Sequence, residues 1–204
     1  MFWGEPDVSV RFCEDKYAVS PYIAENYNTM SSISYFIVAI CLYLASSFKS
    51  KLKSISFIVG LLGIGTFILH GTLRFYGQWL DEISMLFLSF FFIKELRSRY
   101  NKKTKNIIFV LILLCYFVLN SIFSYFLILF FSMQCYIYKL ASKKSNSKQK
   151  QCLTTSYITI LIFSTICWAI DQMFCEHVKS YQLHAVWHVG TAIALGVGIL
   201  ALII

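Results

Sequence analysis

The sequence predicts an all-α integral membrane protein, a seven-transmembrane-helix bundle in a single domain, and three observations predict it. Of its 204 residues, 58% are hydrophobic and only 14% charged, with a mean hydropathy of +0.66; an ordinary soluble domain carries about 25% charged residues. Apolar runs long enough to cross a bilayer recur from end to end, and too little polar sequence remains to bury them in a soluble shell. The basic residues gather in alternate connecting loops, as they do in the cytoplasmic loops of membrane proteins.

Taken in order, spans are expected at about 29–48, 55–72, 78–95, 106–119, 122–141, 152–171 and 182–203. The first ends at Lys49, Lys51 and Lys53, and the second runs from Ile55 to Thr72. The third opens beyond Arg74 and closes at Lys94 and Glu95. From Asn106 to Leu140 no charge occurs before Lys139. At roughly 1.5 Å per residue this stretch is too long for one crossing, and Asn120-Ser121 is its only polar break, so two spans are assigned there. Bridging that break would reduce the count to six. The sixth span follows Lys150 and the seventh closes the chain. With 2 Pro, 9 Gly, no linker-like stretch and no internal repeat, residues 1–204 read as one domain, a short arm over 1–28 preceding helices at about 29–203. The segment Met1 to Glu14 lacks the basic-then-apolar order of a signal peptide, so the first span is expected to direct insertion.

Three loops hold Lys49, Lys51 and Lys53; Lys94, Arg97, Arg99, Lys102, Lys103 and Lys105; and Lys139, Lys143, Lys144, Lys148 and Lys150. Arg11, Lys16, Arg74 and Lys179 are left for the other side. The positive-inside rule then places the N-terminus on the exoplasmic or lumenal side and the C-terminus in the cytosol. The net charge of +8 is a record of topology, and no nucleic-acid partner is expected. The same loops suit anionic lipid headgroups. Every acid but Glu95 falls at the exoplasmic end, a skew that insertion does not require.

The histidines carry the chemistry. His184 and His188 stand four apart, hence on one helix face; His70 ends another span, and Asp81 opens the next. The topology puts all four at one exoplasmic depth, while His177 lies in a loop as a bystander. A carboxylate within a span costs about 2.5–3.5 kcal/mol unless something uses it. Three imidazoles leave one tetrahedral position open, the pattern of a catalytic zinc site within the membrane, where water is acidified toward a pKa of about 7. Asp81 can take and return the proton. Thr66, one turn before His70, is placed to donate to an oxyanion. Singly, each residue has a plainer reading, such as an interfacial His with a wet tip or a Thr bonded back to its own helix. Their coincidence carries the zinc assignment. No Cys pair has ligand spacing, and Cys41, Cys115, Cys135, Cys152 and Cys167 read as packing residues; Cys13 and Cys175 fall in exoplasmic segments, where a disulfide is permitted.

Several motifs resemble the alkaline ceramidases: Cys13-Glu14-Asp15-Lys16-Tyr17, the run Tyr22 to Thr29, Gly63-x-Gly65-Thr66-x-x-x-His70-x-Thr72-Leu73, Gln78-x-Leu80-Asp81-Glu82, Trp168-x-x-Asp171-x-x-Phe174-Cys175 and His184-x-x-x-His188. They occur in one order over nearly the whole chain. The resemblance implies a seven-helix amidase that cuts ceramide to sphingosine and a free fatty acid, with zinc on His70, His184 and His188, Asp81 beside the metal-bound water, and a Cys13 to Cys175 disulfide. The family usually has Ser where Thr66 stands here. It also carries a calcium site in the arm, at positions matching Arg11, Phe12, Glu14, Lys16 and Glu25. Two of those oxygen ligands are cations in this chain, so calcium is not expected. Instead Arg11 and Lys16 are expected to take the place of the ion by pairing with Glu14 and Glu25.

The expected activity is therefore zinc-dependent hydrolysis of a ceramide-type lipid. The rival readings are a zinc-bearing seven-helix lipid receptor or binding protein, and a pseudoenzyme of the same fold. No protein partner is identifiable from the sequence. The endoplasmic reticulum or Golgi is the expected membrane, with the plasma membrane as the alternative.

Overall fold

The computed structural model describes residues 1–46, 50–119, 123–142 and 147–203. Among these the chain is helical, with no strand beyond an isolated bridge between Ser20 and Ile23. The helices are α1 (Asn26–Ser31), α2 (Ile33–Leu44), α3 (Ser50–Thr72), α4 (Phe75–Ser98), α5 (Asn106–Leu119), α6 (Phe123–Ala141), α7 (Lys148–Met173), α8 (Cys175–Val178) and α9 (Leu183–Ile203). A 3₁₀ turn, Lys179–Tyr181, joins α8 to α9.

Among the described residues five segments are long and apolar enough to cross a membrane: Asn26–Leu44, Leu52–Thr72, Ser124–Ala141, Lys148–Met173 and Leu183–Ile203. Helix α4 has 24 residues but carries Asp81, Glu82, Lys94, Glu95 and Arg97. Helix α5 is apolar but has only 14 residues, about 21 Å of rise against a hydrocarbon core of about 30 Å. The expected break at Asn120-Ser121 lies outside the described residues, as do Lys49, Lys143, Lys144 and the last positions of the first span.

Helices α4 and α7 are longer than their apolar cores because polar groups cap them. The Asp7 carboxylate of the arm accepts the Phe75 N–H at the start of α4 at 2.5 Å, and also pairs with Arg74 at 2.9 Å. Ser147 caps α7 by accepting from the Lys150 N–H. Such caps satisfy donors that a helix start leaves orphaned.

Helix α3 packs along α2 and α4, while α9 lies against α2 and α7. The α3–α4 contact is backbone-close at two glycines. A Cβ placed on Gly65 would stand 2.8 Å from the Asp81 Cα, and one on Gly77 would stand 2.7 Å from the Leu69 Cα. Only glycine lets the two helices approach this closely, and the approach sets Asp81 against the Thr66 and His70 end of α3. The arm crosses the same end and is stitched to it by backbone bonds from Ala24 N–H to Gly71 O at 2.9 Å and from Glu25 N–H to His70 O at 3.0 Å.

Candidate metal centre

His70 closes α3, and His184 and His188 occupy the first turns of α9, one turn apart on one face. All three rings are buried, and one ligand nitrogen from each lies within 4.8 Å of the others. The equal membrane depth read from topology is therefore a contact in three dimensions.

Two of the rings have their outer nitrogen pinned. The Glu25 carboxylate accepts from His70 Nδ1–H at 2.6 Å, and both side chains are buried. His188 Nδ1 lies 3.2 Å from the Asn28 carbonyl, which can only accept, so Nδ1 carries the proton. Ser31 Oγ, 2.8 Å from the same nitrogen, donates its own hydrogen to the Asn28 carbonyl at 2.9 Å. Fixing Nδ1–H leaves each Nε2 lone pair free, and this second shell is how proteins orient metal-bound imidazoles. His184 Nδ1 is buried with no partner among the described residues. Three buried, inward-facing imidazoles with no thiolate among them fit a borderline cation such as zinc.

Asp81, on α4, lines the same cavity as the trio. The Thr66 hydroxyl lies 2.5 Å from Asp81 Oδ1 and 2.8 Å from its own helix carbonyl at Leu62. Its single hydrogen is shared between these two acceptors. Asp81 lines a cavity whose wall also includes His70, Glu82, Phe130, His184 and His188. A second, more apolar chamber shares Tyr35, Met85, Phe130 and Trp187 with the first.

The arm roofs this centre. Cys13 and Cys175 form a disulfide with Cα atoms 5.3 Å apart, tying the arm to α8. The Phe12 ring packs against His70 at 4.5 Å and His184 at 5.0 Å between centroids. The resemblance placed Phe12 only among the positions of the family's calcium site. The expected ion pairs do not form. Arg11 and Lys16 are exposed, and among the described residues neither pairs with Glu14 or Glu25. The Glu14 carboxylate is instead neutralised by the N–H groups of Tyr27 at 2.7 Å and Asn28 at 2.9 Å, at the start of α1. Glu25 serves His70, and Lys16 acts on it only through space. Burial raises both the Glu14 and Glu25 carboxyls above their ordinary value, opposed at Glu25 by the hydrogen bond from Asn28 and the charge of Lys16.

The family model for ceramidase matches residues 4–204. The chain belongs to the ceramidase family. It is 40% identical over 89 residues to "Alkaline ceramidase YPC1" of Saccharomyces cerevisiae, an alignment covering 42% of this chain and 28% of that protein. It is 25% identical over 206 residues to "Alkaline ceramidase" of Arabidopsis thaliana, covering 92% and 80%. With "Alkaline ceramidase 1" of Homo sapiens the identity is 26% over 221 residues, covering 95% of this chain and 81% of that protein. Its membrane helices, its disulfide and its three-histidine cluster sit together in one ceramidase-family chain.

Proposed function

We propose that this protein is a zinc-dependent hydrolase of the ceramide amide bond, releasing a sphingoid base such as sphingosine and a free fatty acid. The observation that carries the reading is that three buried imidazoles and Asp81 line one largely apolar cavity. Family membership and the names of the curated relatives support the same activity.

His70, His184 and His188 hold the ion. Zinc bound there supplies what the side chains lack, acidifying water and polarising the amide carbonyl. Asp81 takes the proton from the attacking water at its carboxylate and returns it to the departing amine nitrogen. Thr66 holds that carboxylate in place through its hydroxyl. The apolar chamber beyond Tyr35 and Phe130 receives hydrocarbon and excludes water from the reacting end.

The reading includes seven crossings, with α4 and the short α5 completing the five longer spans. It places the arm on the exoplasmic or lumenal side and the C-terminus in the cytosol. The Cys13–Cys175 disulfide supports that side for the arm, because such bonds persist in oxidising compartments. The endoplasmic reticulum or Golgi membrane fits this placement. Calcium is not part of the proposed centre. The test is mass spectrometry of the products from a panel of ceramides in membranes containing the wild-type protein or His184→Ala, with and without a zinc chelator. Fatty acid and base should form in stoichiometric amounts with the wild type and disappear with either perturbation; turnover that survives both refutes the reading.

A further inference from the structure

Glu82 is a cavity-lining carboxylate to which the proposed chemistry gives no task. It follows Asp81 on α4, is 3% exposed, and is gripped by two donors. Tyr116 Oη donates to Oε2 at 2.7 Å, and Gln78 Nε2, one turn earlier on α4, donates to Oε1 at 2.7 Å. Tyr116 is the residue that α5 buries, at 0% exposure, while most neighbouring α5 side chains face outward. Gln78 is itself anchored to the arm. Its Oε1 accepts the Ser9 N–H at 2.8 Å and its Nε2 lies 2.6 Å from Ser9 Oγ.

A carboxylate offers about four lone-pair sites, so two donors leave roughly one site open on each oxygen. A half-used acceptor in an apolar cavity is costly unless a ligand completes it. An ionised carboxylate only accepts, so the complementary ligand group is a donor, and a neutral alcohol donates strongly to it without bringing a second buried charge.

We propose that Glu82 is a specificity-determining residue that accepts the hydrogen of a hydroxyl on the amino-alcohol half of the substrate. The bond holds the base beside Asp81 while the hydrocarbon continues into the apolar chamber. This inference rests on the ceramidase reading of the cavity. It explains why a second carboxylate neighbours the reacting one: an amide lacking the hydroxyl leaves the Glu82 acceptor desolvated and unmatched, so the site rejects it.

The experiment compares ceramide with two analogues, each lacking one hydroxyl of the base and carrying the same acyl chain, by kcat/KM in membranes. Wild-type protein should prefer ceramide over at least one analogue by about tenfold to a hundredfold. Glu82→Gln, which keeps the shape and removes the charge, should cut that ratio to about threefold or less. Tyr116→Phe keeps the carboxylate but loosens it, and should narrow the ratio in the same direction even if Glu82→Gln fails to accumulate. A ratio preserved in both variants while all three substrates slow equally would make Glu82 structural and overturn the inference. So would a wild-type enzyme indifferent to both hydroxyls. A wild-type protein that cleaves no ceramide at all would remove the ceramidase reading itself, a result distinct from an active enzyme with an unchanged ratio.

Discussion

Glu25 and His70 meet at 2.6 Å, carboxylate Oε2 to ring Nδ1, with 0% and 1% of their side chains exposed. The contact joins the end of the arm to the end of α3 and holds the ring so that its other nitrogen faces His184 and His188. Glu25→Ala should therefore lower zinc affinity by about 10–100-fold, the usual effect of losing an outer-shell partner. Metal content after dialysis of the purified protein measures it. Glu25→Gln, which retains an acceptor, should lose less, and unchanged zinc retention in the alanine variant would contradict the role.

Asp81→Asn should reduce ceramide turnover by about 10²–10⁴-fold while zinc content stays at the wild-type level, because the carboxylate moves protons and does not hold the ion. Thr66→Ser should preserve most activity and Thr66→Val should not, since the hydroxyl orienting Asp81 is lost only in the second. Equal activity in the Ser and Val variants would show that this hydroxyl has no part in turnover.

Gly65→Ala should be far more damaging than a surface Gly→Ala change. The added Cβ would stand 2.8 Å from both the Asp81 Cα and the Leu80 carbonyl carbon, which are backbone atoms unable to swing aside. Overpacking of this kind costs about 1–3 kcal/mol and here also shifts Asp81 from the imidazoles. Thermal unfolding in detergent should show a lowered midpoint, and turnover should fall with zinc still bound. A variant with wild-type stability and turnover would refute the close approach.

A chelator selective for calcium should leave ceramide hydrolysis within about twofold of the untreated level, because Glu14 is already matched by two backbone N–H groups and Glu25 by His70. A large loss restored by added calcium would overturn this. Lys16→Glu is the complementary probe: it replaces the cation acting through space on Glu25 with an anion, and any loss of activity should not be restored by calcium.

The clustering of the three histidines was legible because its signals are local or topological: HxxxH falls on one helix face whatever the fold, and His70 ends one apolar run as His184 begins another. The place of Asp81 on the same cavity wall was legible in the same way. The partners of the ring nitrogens were not, because Ser31, Asn28 and Glu25 meet the histidines only after the first helical segment packs against α3 and α9. Glu25 was drawn toward the arm's cation site by its family position, yet the tertiary contact assigns it to His70. The approach at Gly65 and Gly77 also depends on a neighbour's backbone, and a lone glycine in an apolar run gives no hint of which helix will press against it. The packing of the Phe12 ring was not legible because its neighbours are 58 residues or more away in sequence. Helix lengths were underestimated at α4 and α7, where caps extend helices past the last apolar residue.

Cys175 is made 162 positions after Cys13, its partner. The bond between them can close only after the helices α1 to α7 that separate them have been made. Phe12 and Glu14 flank the first cysteine, so the roof over the histidines is fastened last. Competence is thus timed to oxidation rather than to translation: a newly made chain stays an unfinished precursor until these two cysteines are joined.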